Sequence, residues 1–179
     1  MDIPERIAYF IVTIINTPLI SYFFDTLDKP DHQLIPVNIL IRSWQEAEKD
    51  AFKVRRAVFI LEQGVPEELE IDEFDSSALH ALAYHDNVCI GTARLHMSND
   101  GSGQIGRMAV LAGFRNRGLG LQIMNVLIGV AQSKGLSSLI LHAQVDVIPF
   151  YEKLGFRAEG PIYDEAGIPH RNMMMILPT

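Results

Sequence analysis

Apolar and polar positions change their period several times along the chain, and each change marks an element. Residues 37–41, Val-Asn-Ile-Leu-Ile, form a short β-branched run that reads as a strand. Beyond it Ala47, Ala51, Val54, Val58 and Leu61 recur at three- and four-residue intervals, one face of a helix. Ser43 followed by Glu46 is a capping box for its start, and Gly64 with Pro66 closes it. Residues 79–85 and 88–96 are strand-like runs joined by Asp86-Asn87, a tight hairpin turn. A turn over 98–103 leads into a third strand of this group, 104–111. From 118 to 134, Leu121, Met124, Leu127, Ile128 and Ala131 share one face, and Gly135 ends that helix. Residues 139–143 read as a buried strand, 149–154 as a short helix, and the stretches from Phe156 and over 173–177 as two last strands. Hairpins first and a helical crossover later predict a mixed α/β (α+β) fold with a sheet of mixed direction.

The first 36 residues stand apart from this pattern. Residues 7–24 carry no charge, and as a helix they would span about 27 Å, just short of a hydrocarbon core of about 30 Å. Pro18 interrupts the run, Asp2 and Glu5 precede it, and Asp25 and Asp28 follow it. That setting argues against a secretory leader or a membrane span. The first reading is an apolar helix packed on a protein surface, with a membrane-surface helix as the alternative. The expected division is an extension and linker over 1–36 and the main domain over 37–179.

Charge sharpens the picture. The net charge is −7 and the isoelectric point near 5.3, which excludes a dedicated nucleic-acid binder. The lone Cys89 excludes an internal disulfide and fits a reducing cytoplasm. Between Asp100 and Asp146 there is no acidic residue, while Arg107, Arg115, Arg117 and Lys134 are basic. Such a segment is either reserved for an anion or is buried core. Gly101, Gly103 and Gly106 match a dinucleotide fingerprint formally, but a strand follows them and no acid lies downstream, so they read as a turn. Arg115-Asn-Arg117-Gly118-Leu-Gly120 differs, because a strand precedes it and a helix opens from it. Backbone amides at a helix start attract an anion, glycines let a phosphate approach the main chain, and the arginines add charge.

That loop, following Arg107-Met-Ala-Val110 and followed by Pro149-Phe-Tyr151-Glu-Lys-Leu-Gly155-Phe156, resembles the GNAT superfamily of acyl-CoA-dependent N-acyltransferases. Val58-Phe59, Glu62-Gln63, Asp72-Glu-Phe-Asp75, Ala143-Gln144 and Gly167-Ile-Pro-His170 resemble its ElaA-like, YjcF-like branch. The resemblance implies three layers, with a central mixed sheet of about seven strands flanked by helices and a splayed pair of parallel strands. It places acetyl-CoA, as co-substrate, in the splay. Met108, Ala109 and Val110 would face the thioester, and Arg115, Asn116, Arg117, Gly118, Leu119 and Gly120 the pyrophosphate. Tyr151 matches the position of a general acid. Glu62, Glu67, Glu68, Glu70, Asp72, Glu73 and Asp75 occur without an intervening Lys or Arg, on what the resemblance makes the acceptor side. Glu62 and Asp72 are the first candidates for the base, and Asp75, His80, Arg107 and His170 for acceptor contacts. His142 also qualifies by the range in which histidine titrates. Arg94 and Arg107 read either as carboxylate clamps or as partners of nearby acids.

The activity implied is transfer of an acetyl group to the primary amine of a small molecule or peptide by direct attack. Two alternatives stand beside it. Arg55-Arg-Ala-Val-Phe59 resembles a pattern of acyl-homoserine-lactone synthases, which share the fold. A non-catalytic acyl-CoA-binding module would use the same loop. No metal is implied, and a homodimer is compatible with the superfamily.

Overall fold

The computed structural model describes residues 35–178, and the apolar run over 7–24 lies outside them. Strands β1 (Asn38–Arg42), β2 (Leu79–His85), β3 (Val88–Met97), β4 (Ser102–Val110), β5 (Ser138–Gln144), β6 (Arg157–Glu165) and β7 (Ile168–Ile176) form one sheet in the order β1-β2-β3-β4-β5-β7-β6. Every neighbouring pair is antiparallel except β4 and β5. Asp86 and Asn87 both take positive φ, at 48° and 63°, as the tight turn between β2 and β3 requires.

Helix α1 (Trp44–Arg55) covers one face of the sheet, where Ala47, Ala51, Val54 and Val58 meet Leu82, Cys89 and Ala109. Its start is capped by Glu46, whose carboxylate accepts from the Ser43 amide at 3.2 Å. The expected helix does reach residue 61, but from Arg56 to Glu62 it continues as π-helical turns. Helix α2 (Leu119–Ser133) covers the other face, with Leu119, Ile123, Met124, Leu127 and Ala131 buried over β2, β3 and β4, in one cluster with Leu139, Leu141 and Ala143 of β5. The short α3 (Ile148–Lys153) follows β5. The result is the three-layer mixed α/β arrangement that the resemblance implied. Among the described residues no helix is long and apolar enough to cross a membrane.

Two departures from regular pairing shape the centre of the sheet. Parallel pairing of β4 with β5 runs from Ser102↔Ser138 to Ile105↔Leu141 and stops, although β4 continues to Val110 and β5 to Gln144. The two strands therefore splay beyond Ile105 and Leu141. On its other side β4 bulges, since Arg94 pairs with Gly106 and Thr92 with Ala109, leaving Arg107 and Met108 opposite Ala93. Arg107 sits there with φ of 52°, a left-handed conformation rare for a side chain of its size.

The last strand begins earlier than the apolar pattern predicts. A turn at Ala166-Gly167, both at positive φ, closes the hairpin, so β7 already includes Pro169, His170 and Arg171. These residues show no alternation because the outer face of β6 and β7 is largely exposed.

Candidate active site at the splayed strands

The chain leaves β4 through a short turn at Ala112–Phe114 and reaches the arginine–glycine loop. Asn116 and Gly118 take φ of 60° and 71°, and α2 starts at Leu119, which is anchored in the core. Among the described residues, none of the backbone amides from Asn116 to Leu121 donates to another group of the chain. They cluster at the positive end of the α2 dipole, in a first turn without acidic residues. A Cβ on Gly120 would lie 3.2 Å from Met108 Cε and 3.5 Å from the Phe150 ring. Glycine is therefore set here by close packing of Met108 and Phe150, not only by access for an anion.

Arg115 departs from expectation. Its Nη1 and Nη2 donate to the two carboxylate oxygens of Glu62, both at 2.6 Å, and its Nε donates to the Val110 carbonyl at 2.9 Å. The guanidinium is committed to the protein rather than turned toward a diphosphate. The same pair engages Glu62, whose carboxyl the hydrogen bonds from Arg115 hold below the usual range. Arg117 is exposed and makes no side-chain hydrogen bond or ion pair among the described residues, which leaves it the loop's available cation.

Tyr151 lies on α3, its ring packed edge-on against Phe150 and Phe156 at centroid distances of 5.0 and 6.1 Å. Burial pushes its phenol up to about 12, and among the described residues no hydrogen bond holds the hydroxyl. The residue is at once a core ring and a protonated, unpartnered O–H.

The acidic stretch is mostly internal structure. Arg55 is fully buried and bridges Glu70 and Asp75, with Nη1 2.7 Å from Asp75 Oδ1. Arg94 forks onto Asp72 and also reaches Asp75 Oδ1 at 2.9 Å. Arg107 donates to Asp72 Oδ2 at 2.9 Å and to the carbonyls of Glu70 and Leu69 at 3.0 and 3.2 Å. Burial alone would raise the Asp75 pKa, but hydrogen bonds from Arg55 and the Asp72 amide, with the nearby Arg94, hold it well below the carboxylate range. Asp72 is likewise lowered, by Arg94 and Arg107 against the effect of burial. Asp72 is thus an ion-pair partner of Arg94 and Arg107. Asp75 and His80 are each 1% exposed and support this network from the interior. His80 donates from Nε2 to the Asp75 carbonyl at 3.0 Å and packs on Trp44, and burial lowers its pKa. Arg107 ties the bulge to residues 69–72.

His170 sits on β7 opposite Gln144, stacked on Tyr163, with Nδ1 donating to the Ile168 carbonyl at 2.8 Å. Gln144 donates from Nε2 to Gln63 Oε1 at 3.1 Å. The end of the π-helical turns therefore holds both sides of the splay: Glu62 grips the loop after β4, and Gln63 grips the end of β5. Sequence reasoning quoted Gln63 and Gln144 only as marks of a branch. Their contact joins positions 81 apart, and no local spacing signals it.

Residues 43–177 match the family model described as an acetyltransferase (GNAT) domain. The N-acetyltransferase YjcF of Bacillus subtilis is 43% identical over 132 residues, covering 73% of this chain and 93% of that protein. The crystal structure of Escherichia coli ElaA superposes with a TM-score of 0.72 at 25% identity, covering 78% of this chain and 99% of that one. An acyl-CoA N-acyltransferase from Pseudomonas aeruginosa gives a TM-score of 0.72 at 26% identity, with coverage of 78% and 99%.

Proposed function

Because the chain belongs to the acetyltransferase (GNAT) domain family, on the branch of YjcF and ElaA, we propose that it transfers an acetyl group from acetyl-CoA to a primary amine of a small molecule or peptide. The family makes it an acyltransferase that uses a CoA-linked co-substrate and an acceptor. Acetyl as the acyl group and an amine as the acceptor are the finer steps taken here.

The observation that carries this reading is the run of unpartnered amides from Asn116 to Leu121 beside the splayed strands. A diphosphate would satisfy those donors, with Arg117 adding charge and the exposed Glu62–Arg115 pair forming one rim. The acyl arm would enter between β4 and β5 along Met108, Ala109 and Val110. An amine lone pair then attacks the thioester carbon, the nitrogen gives a proton to a base, the C–S bond breaks, and the sulfur takes the Tyr151 proton. A phenol held near 12 remains protonated until the leaving thiolate forms beside it.

Thermal denaturation with acetyl-CoA and longer acyl-CoAs tests the donor side, since a ligand of the folded state raises its stability. Thiol release with a panel of amines tests the transfer. Absence of any acyl-CoA effect at millimolar concentration would overturn the reading.

A further inference from the structure

We propose that His142 is the base that removes the proton from the acceptor amine, with Glu165 as its positioning residue; the inference rests on the acyl-transfer reading above. His142 is the first residue of β5 beyond the last parallel pair, Ile105↔Leu141, so it stands where the strands part. Leu139, Leu141 and Ala143 are buried toward α2, which turns His142 and Gln144 to the opposite face. Gln144 confirms that direction by bonding Gln63 of the π-helical turns.

The His142 side chain is 41% exposed, and its Nδ1 lies 3.4 Å from Glu165 Oε2. Its ring meets Tyr163 edge-on at 6.0 Å. Among the described residues Nε2 has no partner. A carboxylate at one imidazole nitrogen and a free second nitrogen is the arrangement of a positioned base. The rival groups are engaged: Glu62 by Arg115, Asp72 by Arg94 and Arg107, Asp75 by Arg55. His80 and His170 are buried, each with one ring nitrogen bound to a backbone carbonyl.

Other groups on this face complete an acceptor wall. Tyr163 donates to Asn172 Oδ1 at 2.8 Å, and Asn172 pairs with His142. The titratable and charged groups sharing the face are Arg157, Glu159, Tyr163 and Glu165 on β6 and His170 on β7; from the helical side Glu62 lies next to Gln63, held by Arg115. The excess of carboxylates attracts a protonated amine, which sheds its ammonium proton to solvent and enters the step neutral. In the step, the amine nitrogen bonds to the thioester carbon and the C–S bond breaks. Nε2 of His142 takes the amine proton, Glu165 stabilises the imidazolium, and sulfur takes the Tyr151 proton. Solvent then deprotonates His142 and reprotonates Tyr151.

The test uses the full chain and reads thiol release from acetyl-CoA, both with the best amine of a panel and in the slower hydrolysis without amine. His142→Gln is expected to lower kcat/KM for the amine by about 100-fold and to abolish the acidic limb of its pH profile, with acetyl-CoA affinity unchanged. Glu165→Gln is expected to lower it by about 10-fold, because the imidazole loses the carboxylate that orients it; Glu165→Asp should restore most of the activity. A role in structure alone would leave the acidic limb in place and would not separate Asp from Gln at this position. If the wild-type chain releases no thiol in either reaction, the acyl-transfer reading fails and takes this one with it. If the wild type is active and His142→Gln matches it in rate and pH profile, the assignment of His142 is overturned by itself.

Discussion

Tyr151 combines a packed ring with an unpartnered hydroxyl, and the two are separable by one atom. Tyr151→Phe keeps the contacts to Phe150 and Phe156 and removes only the proton donor. Turnover should fall by about 100-fold while acyl-CoA affinity and melting temperature stay near wild type, as steady-state kinetics and calorimetry will read. Its high pKa also predicts no loss of turnover from Tyr151 through the neutral and mildly alkaline range. Asp75 behaves oppositely. Its folded pKa is depressed, so its contribution to stability is complete above the unfolded value of about 3.9 and is lost as pH falls below it. Asp75→Asn leaves Arg55 underpaired in the interior and should cost about 3–5 kcal/mol at neutral pH. Urea unfolding across the acid range should show a flatter pH dependence for that variant. The short helix that carries Tyr151 was legible because its motif is continuous in the chain. The fates of Asp72, Asp75 and Glu62 were not, because their arginines come from α1, β3, β4 and the loop after it, and charge in a sequence carries no record of such partners.

Among the elements, the bulge in β4 has the clearest energetic signature. Holding Arg107 at φ of 52° costs about 1–3 kcal/mol, and its bonds to Asp72, Glu70 and Leu69 offset that strain. Two variants divide the contributions. Arg107→Ala loses the bonds and keeps the strain, whereas Arg107→Gly loses the bonds and relieves the strain. Melting temperature should fall more for Ala than for Gly, and both should raise KM for acetyl-CoA, since the next residues, Met108 to Val110, line the splay. Equal melting temperatures would remove strain from the account. The hairpin of β2 and β3 was readable because Asp86-Asn87 permits the positive φ of its turn. The change from α to π turns at Arg56 was not, because lengthening each turn by one hydrogen-bond step scarcely alters which residues are apolar. The early start of β7 escaped notice for a different reason: a strand exposed on one face need not alternate.

For the molecule as a whole, the acid-free segment divides into two parts. Its helix α2 is core, with Leu119, Ile123 and Leu127 buried. Its loop from Asn116 to Gly118 exposes amides and a cation. The paired motifs revealed the architecture, since the loop and the Tyr151 segment bracket one helix and one strand in a fixed order. The covering of the sheet is uneven. Helix α1 packs on β1 to β4, while β6 remains largely exposed. Among the described residues, an acceptor at His142 would meet a shelf and not a socket, and a shelf sets no ceiling on how long its visitor can be. Amines with one head group and progressively longer tails should be acetylated with similar kcat/KM, and a sharp cut-off at a given tail length would contradict this.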